Sequence, residues 1–124
     1  MLKNLCNLIR NTTPLIELSS IDVGESVVYL GLSAMNPTGS VKDVMAWYML
    51  TQAEERGELK RGDTILEITT GNTGIAFSML AAVHGYRFVA VMPEHMSIER
   101  RQIMKAYGAD VVLTPKEEDI PGAQ

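Results

Sequence analysis

A lysine set directly behind a tight turn is the feature of this chain that most looks like chemistry. Lys42 stands near the end of the run NPTGSVKD, Asn36 to Asp43, where proline and glycine restrict the backbone and can hold an amine at a fixed point. A solvated lysine needs no such mount, whereas a lysine that condenses with an aldehyde to form an imine does. A second run follows at Thr69 to Gly74, TTGNTG, rich in hydroxyls and glycine and lying between an apolar strand pattern and a helical one. Amides and hydroxyls gathered at a helix start favour an anion. Each run also has a plainer reading. Lys42 can be an exposed first-turn lysine, although its charge then opposes the helix dipole. TTGNTG can be an ordinary turn with an N-cap.

Taken together, NPTGSVKD, EITTGNTG from Glu67, and GYRFVAVMPEHMSIERRQIMKAYGADVVLT from Gly85 to Thr114 resemble the cysteine synthase and cystathionine β-synthase group of fold-type II pyridoxal phosphate enzymes. NTTPLIEL, Asn11 to Leu18, is similar to the same group's amino-terminal strand. Three separated blocks in the right order make the resemblance specific. It implies pyridoxal 5'-phosphate as cofactor, with Lys42 as its covalent attachment and as the base that moves the substrate Cα proton. It further implies Asn72 as partner of the cofactor's ring hydroxyl, and Thr69, Thr70, Gly71, Asn72 and Thr73 as the loop for the substrate α-carboxylate. The implied reaction is β-elimination or β-replacement on a serine-derived amino acid, of the kind that joins O-acetylserine and sulfide.

The resemblance has departures. Gly31, Leu32 and Ser33 stand where the group often has Lys-Leu-Glu, Val44 where an arginine usually follows the lysine-aspartate pair, and Thr70 where a serine is usual. Nothing in the chain resembles the group's later glycine-rich phosphate cup. The implication is an incomplete chain, inactive alone, that works with a further carboxyl-terminal domain or as a homo-oligomer. Outside enzymes, the same residues suit a non-catalytic α/β module that binds an anion at Thr69 to Thr73 or docks through its first strands.

Elements that can carry these loops are legible from periodicity. Pro14 to Leu18 and Ser26 to Leu32, around the turn-rich IDVGE, predict an antiparallel hairpin that in the resembled group belongs to a second domain. Lys42 to Arg56 has helical spacing stopped by Gly57, Thr64 to Ile68 reads as a strand, and Thr73 to His84 as a helix closed by Gly85. Arg87 to Met92 (strand), Ser97 to Tyr107 (helix with Ser97 as N-cap) and Val111 to Leu113 (strand) continue the alternation. The expected class is α/β: a three-layer parallel sheet flanked by helices, with an N-terminal β-hairpin extension. Residues 1–35 form the hairpin unit in this reading and residues 36–124 the unit with the lysine and the substrate loop.

Composition narrows the function classes. The 124 residues carry a net charge of −4 with no basic block, which argues against nucleic acid and against an anionic membrane surface. A single cysteine, Cys6, supports no disulfide framework and has no base or acid partner nearby in the sequence. No stretch has the length of a membrane span or the layout of a cleaved signal peptide, so the expected setting is soluble, reducing and cytoplasmic. His84, in a last helical turn, and His95, in a loop, lack a second ligand at metal spacing, and no metal site is expected. Met45 and Met49 read as core filling, and Glu99, Arg100 and Arg101 as helix-start and solvated-face charges.

Overall fold

The computed structural model describes Ile9 and residues 13–117. Expectations for Cys6, for Asn11 and Thr12, and for the tail past Glu117 fall outside the described residues. In chain order the elements are β1 (Leu15–Glu17), β2 (Tyr29–Gly31), a 3-10 turn (Ser33–Met35), α1 (Lys42–Glu55), β3 (Thr64–Ile68), α2 (Asn72–His84), β4 (Arg87–Pro93), α3 (Ile98–Ala106) and β5 (Asp110–Thr114).

Strands β3, β4 and β5 pair parallel in sequence order, with Ile65 opposite Phe88 and Val91 opposite Val112. Side chains alternate along a strand, so Ile65, Phe88 and Ala90 share one face. That face meets the helices: Phe88 stacks on Phe77 of α2 with ring centroids 6.1 Å apart. Leu66, Val89, Val91 and Val112 share the other face, where Leu66 is 65% and Val112 48% exposed.

The sequence of α2 explains its central position. Gly74 to Ala81 is a continuous run of small and apolar residues, all buried, and a helix apolar on every side is stable only inside a core. Met79 and Leu80 are fully enclosed there, each removal from water contributing about 1.5–3 kcal/mol. Helix α1 brings Ala46 and Leu50 to the same core, and α3 brings Met104. Gly85 ends α2 at φ 81°, a left-handed position that lets its N–H reach the Ala81 carbonyl at 2.9 Å.

The predicted alternation holds, with local shifts. The hairpin is antiparallel as expected, Ile16 opposite Leu30, but its strands are shorter than the apolar runs. Leu15, Ile16, Tyr29 and Leu30 are all exposed, and so short a ladder has little to pack against. Helix α2 begins at Asn72, one residue early. Ser97 does occupy the N-cap of α3, yet its hydroxyl donates to the Glu99 carboxylate instead of capping the helix amides. Met45 packs against the core as expected, whereas Met49 is half exposed. Among the described residues no helix is long and apolar enough to cross a membrane. No group of three or more His, Cys, Asp or Glu among them is placed to hold a metal ion.

Candidate active site

The lysine turn is built from its own residues. Asn36 is buried and its side-chain amide donates to the Ser40 carbonyl at 2.8 Å. Asp43 is fully buried and accepts from Thr38 twice, from the backbone N–H at 2.7 Å and from the hydroxyl. Gly39 closes the turn at φ 75°, where a side chain would be strained. The Lys42 N–H then donates to the Ser40 hydroxyl at 3.1 Å, so the backbone that carries the amine is fixed on both sides. Sequence reasoning singled out Lys42 and passed over Asp43. The signal was present in the Thr-x-x-x-x-Asp spacing, but nothing in the sequence says that this carboxylate turns inward.

At the other loop, Thr69 follows the carboxyl end of β3, where its N–H donates to the Val91 carbonyl of β4 at 2.9 Å. The Thr69 side chain is buried, and its hydroxyl accepts from the N–H of Gly74 at 2.9 Å and of Gly71 at 3.3 Å. It therefore organises the loop from beneath. Gly74 has no room for a side chain: a Cβ there would stand 2.5 Å from Thr69 Cγ2 and 2.7 Å from Met104 Sδ. Asn72 is exposed at the first position of α2, while Thr70 and Thr73 are half-buried. The earliest amides of a helix lack partners within it, so those of Asn72 and Thr73 are the open donors of this end.

Each loop leads into one helix of a packed pair. Helices α1 and α2 pack on each other, and Glu54 in the last turn of α1 meets His84 in the last turn of α2 at 2.9 Å. Tyr86 also donates its hydroxyl to Glu54, at 2.5 Å, and its ring stacks near that of His84. Burial alone pushes the Glu54 carboxyl up, but the bonds from Tyr86 and His84 and the charge of His84 together outweigh it and hold the group below its ordinary value. The two helices are thus joined at their last turns, and Lys42 and Asn72 stand at their first positions.

Two arginines require a correction. Arg100 is no solvated-face charge: its Nη1 donates to the Thr70 carbonyl at 2.8 Å, reaching from α3 across to the loop before α2. Arg101 likewise turns back onto its own connection and donates to the carbonyls of Glu94 and Met96, the latter at 2.7 Å. The parallel sheet explains both. It delivers the β3–α2 and β4–α3 connections to one edge, where long side chains at the start of α3 find bare carbonyls. Glu67, just before the loop, lies in a cleft lined by Leu50, Leu59 and Phe77, and burial raises its carboxyl above the ordinary value.

A lysine on a fixed turn suits the chemistry of an imine-forming aldehyde, and a loop of hydroxyls and helix-start amides suits a carboxylate. The relatives of this chain agree. It is 51% identical over 114 residues to cysteine synthase B of Escherichia coli (strain K12), covering 90% of this chain and 37% of that one. It is 50% identical over 112 residues to a probable cysteine synthase of Bacillus subtilis (strain 168), covering 90% and 36%. Among solved structures, a cysteine synthase from Entamoeba histolytica superposes with a TM-score of 0.89 at 41% identity, covering 99% of this chain and 38% of that one. An O-acetylserine dependent cystathionine beta-synthase from Helicobacter pylori gives 0.85 at 36% identity, covering 99% and 41%. The chain thus spans little more than a third of the length of the proteins it matches. The model of the family described as pyridoxal-phosphate dependent enzyme matches residues 7–124, nearly the whole sequence, and the chain belongs to that family.

Proposed function

We propose that this chain carries the lysine and the substrate loop of a cysteine synthase-like enzyme, which acts by β-elimination or β-replacement on a serine-derived amino acid such as O-acetylserine. The carrying observation is the build of the two loops, a turn that fixes the backbone of Lys42 and a Thr69–Gly74 loop that sets hydroxyls and open amides at the start of α2, on helices that are themselves joined. The residues fit the family's cofactor in their donor set: an amine on a fixed turn at Lys42 and an exposed amide side chain at Asn72. Pyridoxal phosphate, when bound, supplies the electron sink for charge developing at the substrate Cα. Lys42 would hold it covalently, and its amine, carried on a backbone fixed by the turn, would take and return the substrate Cα proton. Asn72 would hydrogen-bond the ring hydroxyl. The hydroxyls of Thr70 and Thr73 and the first amides of α2 receive the substrate carboxylate, where the helix dipole favours negative charge. Thr69 and Gly71 shape that loop.

In this reading residues 1–35 form a hairpin unit and residues 36–124 the α/β unit. The exposed strands around Ile16 and Leu30 pair with strands of a further domain or of a second copy in a homo-oligomer, and the protein works in the cytoplasm. Borohydride reduction of the pyridoxal phosphate-loaded chain, followed by peptide mass spectrometry, tests the central claim. The adduct is expected on Lys42 and is expected to vanish in Lys42→Ala with the circular dichroism spectrum unchanged. An adduct of equal yield on another lysine, or its persistence in Lys42→Ala, would overturn it.

A further inference from the structure

We infer that Arg100 is a positioning residue for the substrate loop, setting the orientation of the peptide unit between Thr70 and Gly71. The inference rests on the reading of Thr69–Gly74 as a carboxylate site. The two polar groups of that peptide unit are bound in opposite directions: the Thr70 carbonyl accepts from Arg100 Nη1 at 2.8 Å, and the Gly71 N–H donates to Thr69 Oγ1 at 3.3 Å. In a planar trans peptide the C=O and N–H point opposite ways, so these two partners pin one plane from both sides. The guanidinium also lies against the Gly71 backbone. A Cβ built on Gly71 would stand 2.7 Å from Nη1, 2.8 Å from Cζ and 2.8 Å from Nε.

Two consequences follow for a bound carboxylate. A flipped Thr70–Gly71 peptide would turn the carbonyl onto the Thr69 hydroxyl and undo the bond that shapes the carboxylate loop, and the Arg100 bond opposes that flip. The guanidinium adds a permanent positive charge beside the loop, and among planar donors only arginine combines that charge with a fork able to lie flat on the backbone. Lysine at this position keeps the charge and loses the fork. Alanine loses both.

The experiment follows backbone amides of the pyridoxal phosphate-loaded chain by nuclear magnetic resonance, first for hydrogen exchange and then during titration with L-serine. Arg100→Ala is expected to speed exchange at Gly71 and Gly74 by about tenfold and to weaken L-serine binding by a similar factor, the loss of one charge-assisted hydrogen bond. Arg100→Lys is expected to recover less than half of either effect. Gly71→Ala, which displaces the guanidinium without altering it, is expected to speed exchange at Gly74 as Arg100→Ala does, with α3 still helical by its own amide protection. Unchanged exchange and unchanged L-serine affinity in Arg100→Ala would overturn the inference, as would full recovery by lysine. If wild-type loop amides do not respond to L-serine at all, the carboxylate reading fails separately, and the exchange rates alone decide whether Arg100 orders the loop.

Discussion

In the turn from Asn36 to Asp43 the shaping side-chain bonds span at most five residues of sequence, whereas the loop from Thr69 to Gly74 is tied to Arg100, thirty residues further on. Both open a helix that reaches the core, and both present the residues on which the proposed chemistry depends. The difference lies in what maintains them. The lysine turn carries its own buried carboxylate and can form as soon as α1 docks. The threonine-glycine loop takes its Thr69 contacts locally, but its upper side and the space around Gly74 are defined by α3, through Arg100 and Met104. The proposed site thus joins one locally specified loop to one remotely specified loop.

Asp43→Ala tests the local half and carries the largest expected effect, about 3 kcal/mol of stability in urea unfolding. It strips the acceptor from the Thr38 N–H and hydroxyl at a fully buried position. Asp43→Asn retains one acceptor oxygen and should recover part of that. A loss below 1 kcal/mol would mean that the turn does not depend on this carboxylate.

Gly74→Ala tests the remote half at about 2 kcal/mol, because the added methyl meets Thr69 Cγ2 and Met104 Sδ at once. Adding Thr69→Ser removes the nearer methyl while keeping the hydroxyl. The pair should therefore be less destabilised than the sum of the two single changes, a coupling that a double-mutant cycle measures. Strict additivity would show that Thr69 does not confine Gly74.

The joint between the two helices should respond to pH. The Glu54 carboxyl is held below its ordinary value of 4.5, so its contribution is complete above that value and is lost as pH falls through the lowered one. Tyr86 is pushed up from 10.0 to about 12, by burial first and then by its bond to Glu54. Its contribution is complete below pH 10.0 and is lost as pH rises toward about 12. Glu54→Gln should cost about 1 kcal/mol at neutral pH and flatten the acid limb of a stability-pH curve. An acid limb identical to that of wild type would place the titration elsewhere.

Glu67→Gln is the smallest and has the opposite sign. Burial raises this carboxyl, so its ionised form opposes folding at neutral pH, and the penalty disappears once the pH is low enough to protonate it in both states. The amide should gain a few tenths of a kcal/mol at pH 7 in thermal unfolding, roughly the ceiling for a partly exposed position, and nothing in acid. Destabilisation at pH 7 would mean that the charge has a partner.

By itself the sequence determined the alternation of strands and helices, the glycine stops at Gly57 and Gly85, and both candidate loops. These are local matters: apolar period, turn chemistry and caps act between residues a few positions apart. The roles of Lys42 and Asn72 were implied by the resemblance and not by spacing alone. Arg100 and Arg101 were misread because a charged side chain on a polar helix face looks solvated until the fold shows which carbonyls lie within its reach. Asp43 was missed for the related reason that an acidic first-turn residue is ordinary at any helix start. Only the tertiary structure decided that this carboxylate turns inward, that Arg100 of α3 reaches the loop before α2, and that α1 and α2 are joined at Glu54 and His84. Each of these depends on how the parallel sheet and the all-round apolar α2 stack their neighbours, a collective packing outcome that no short window of residues contains.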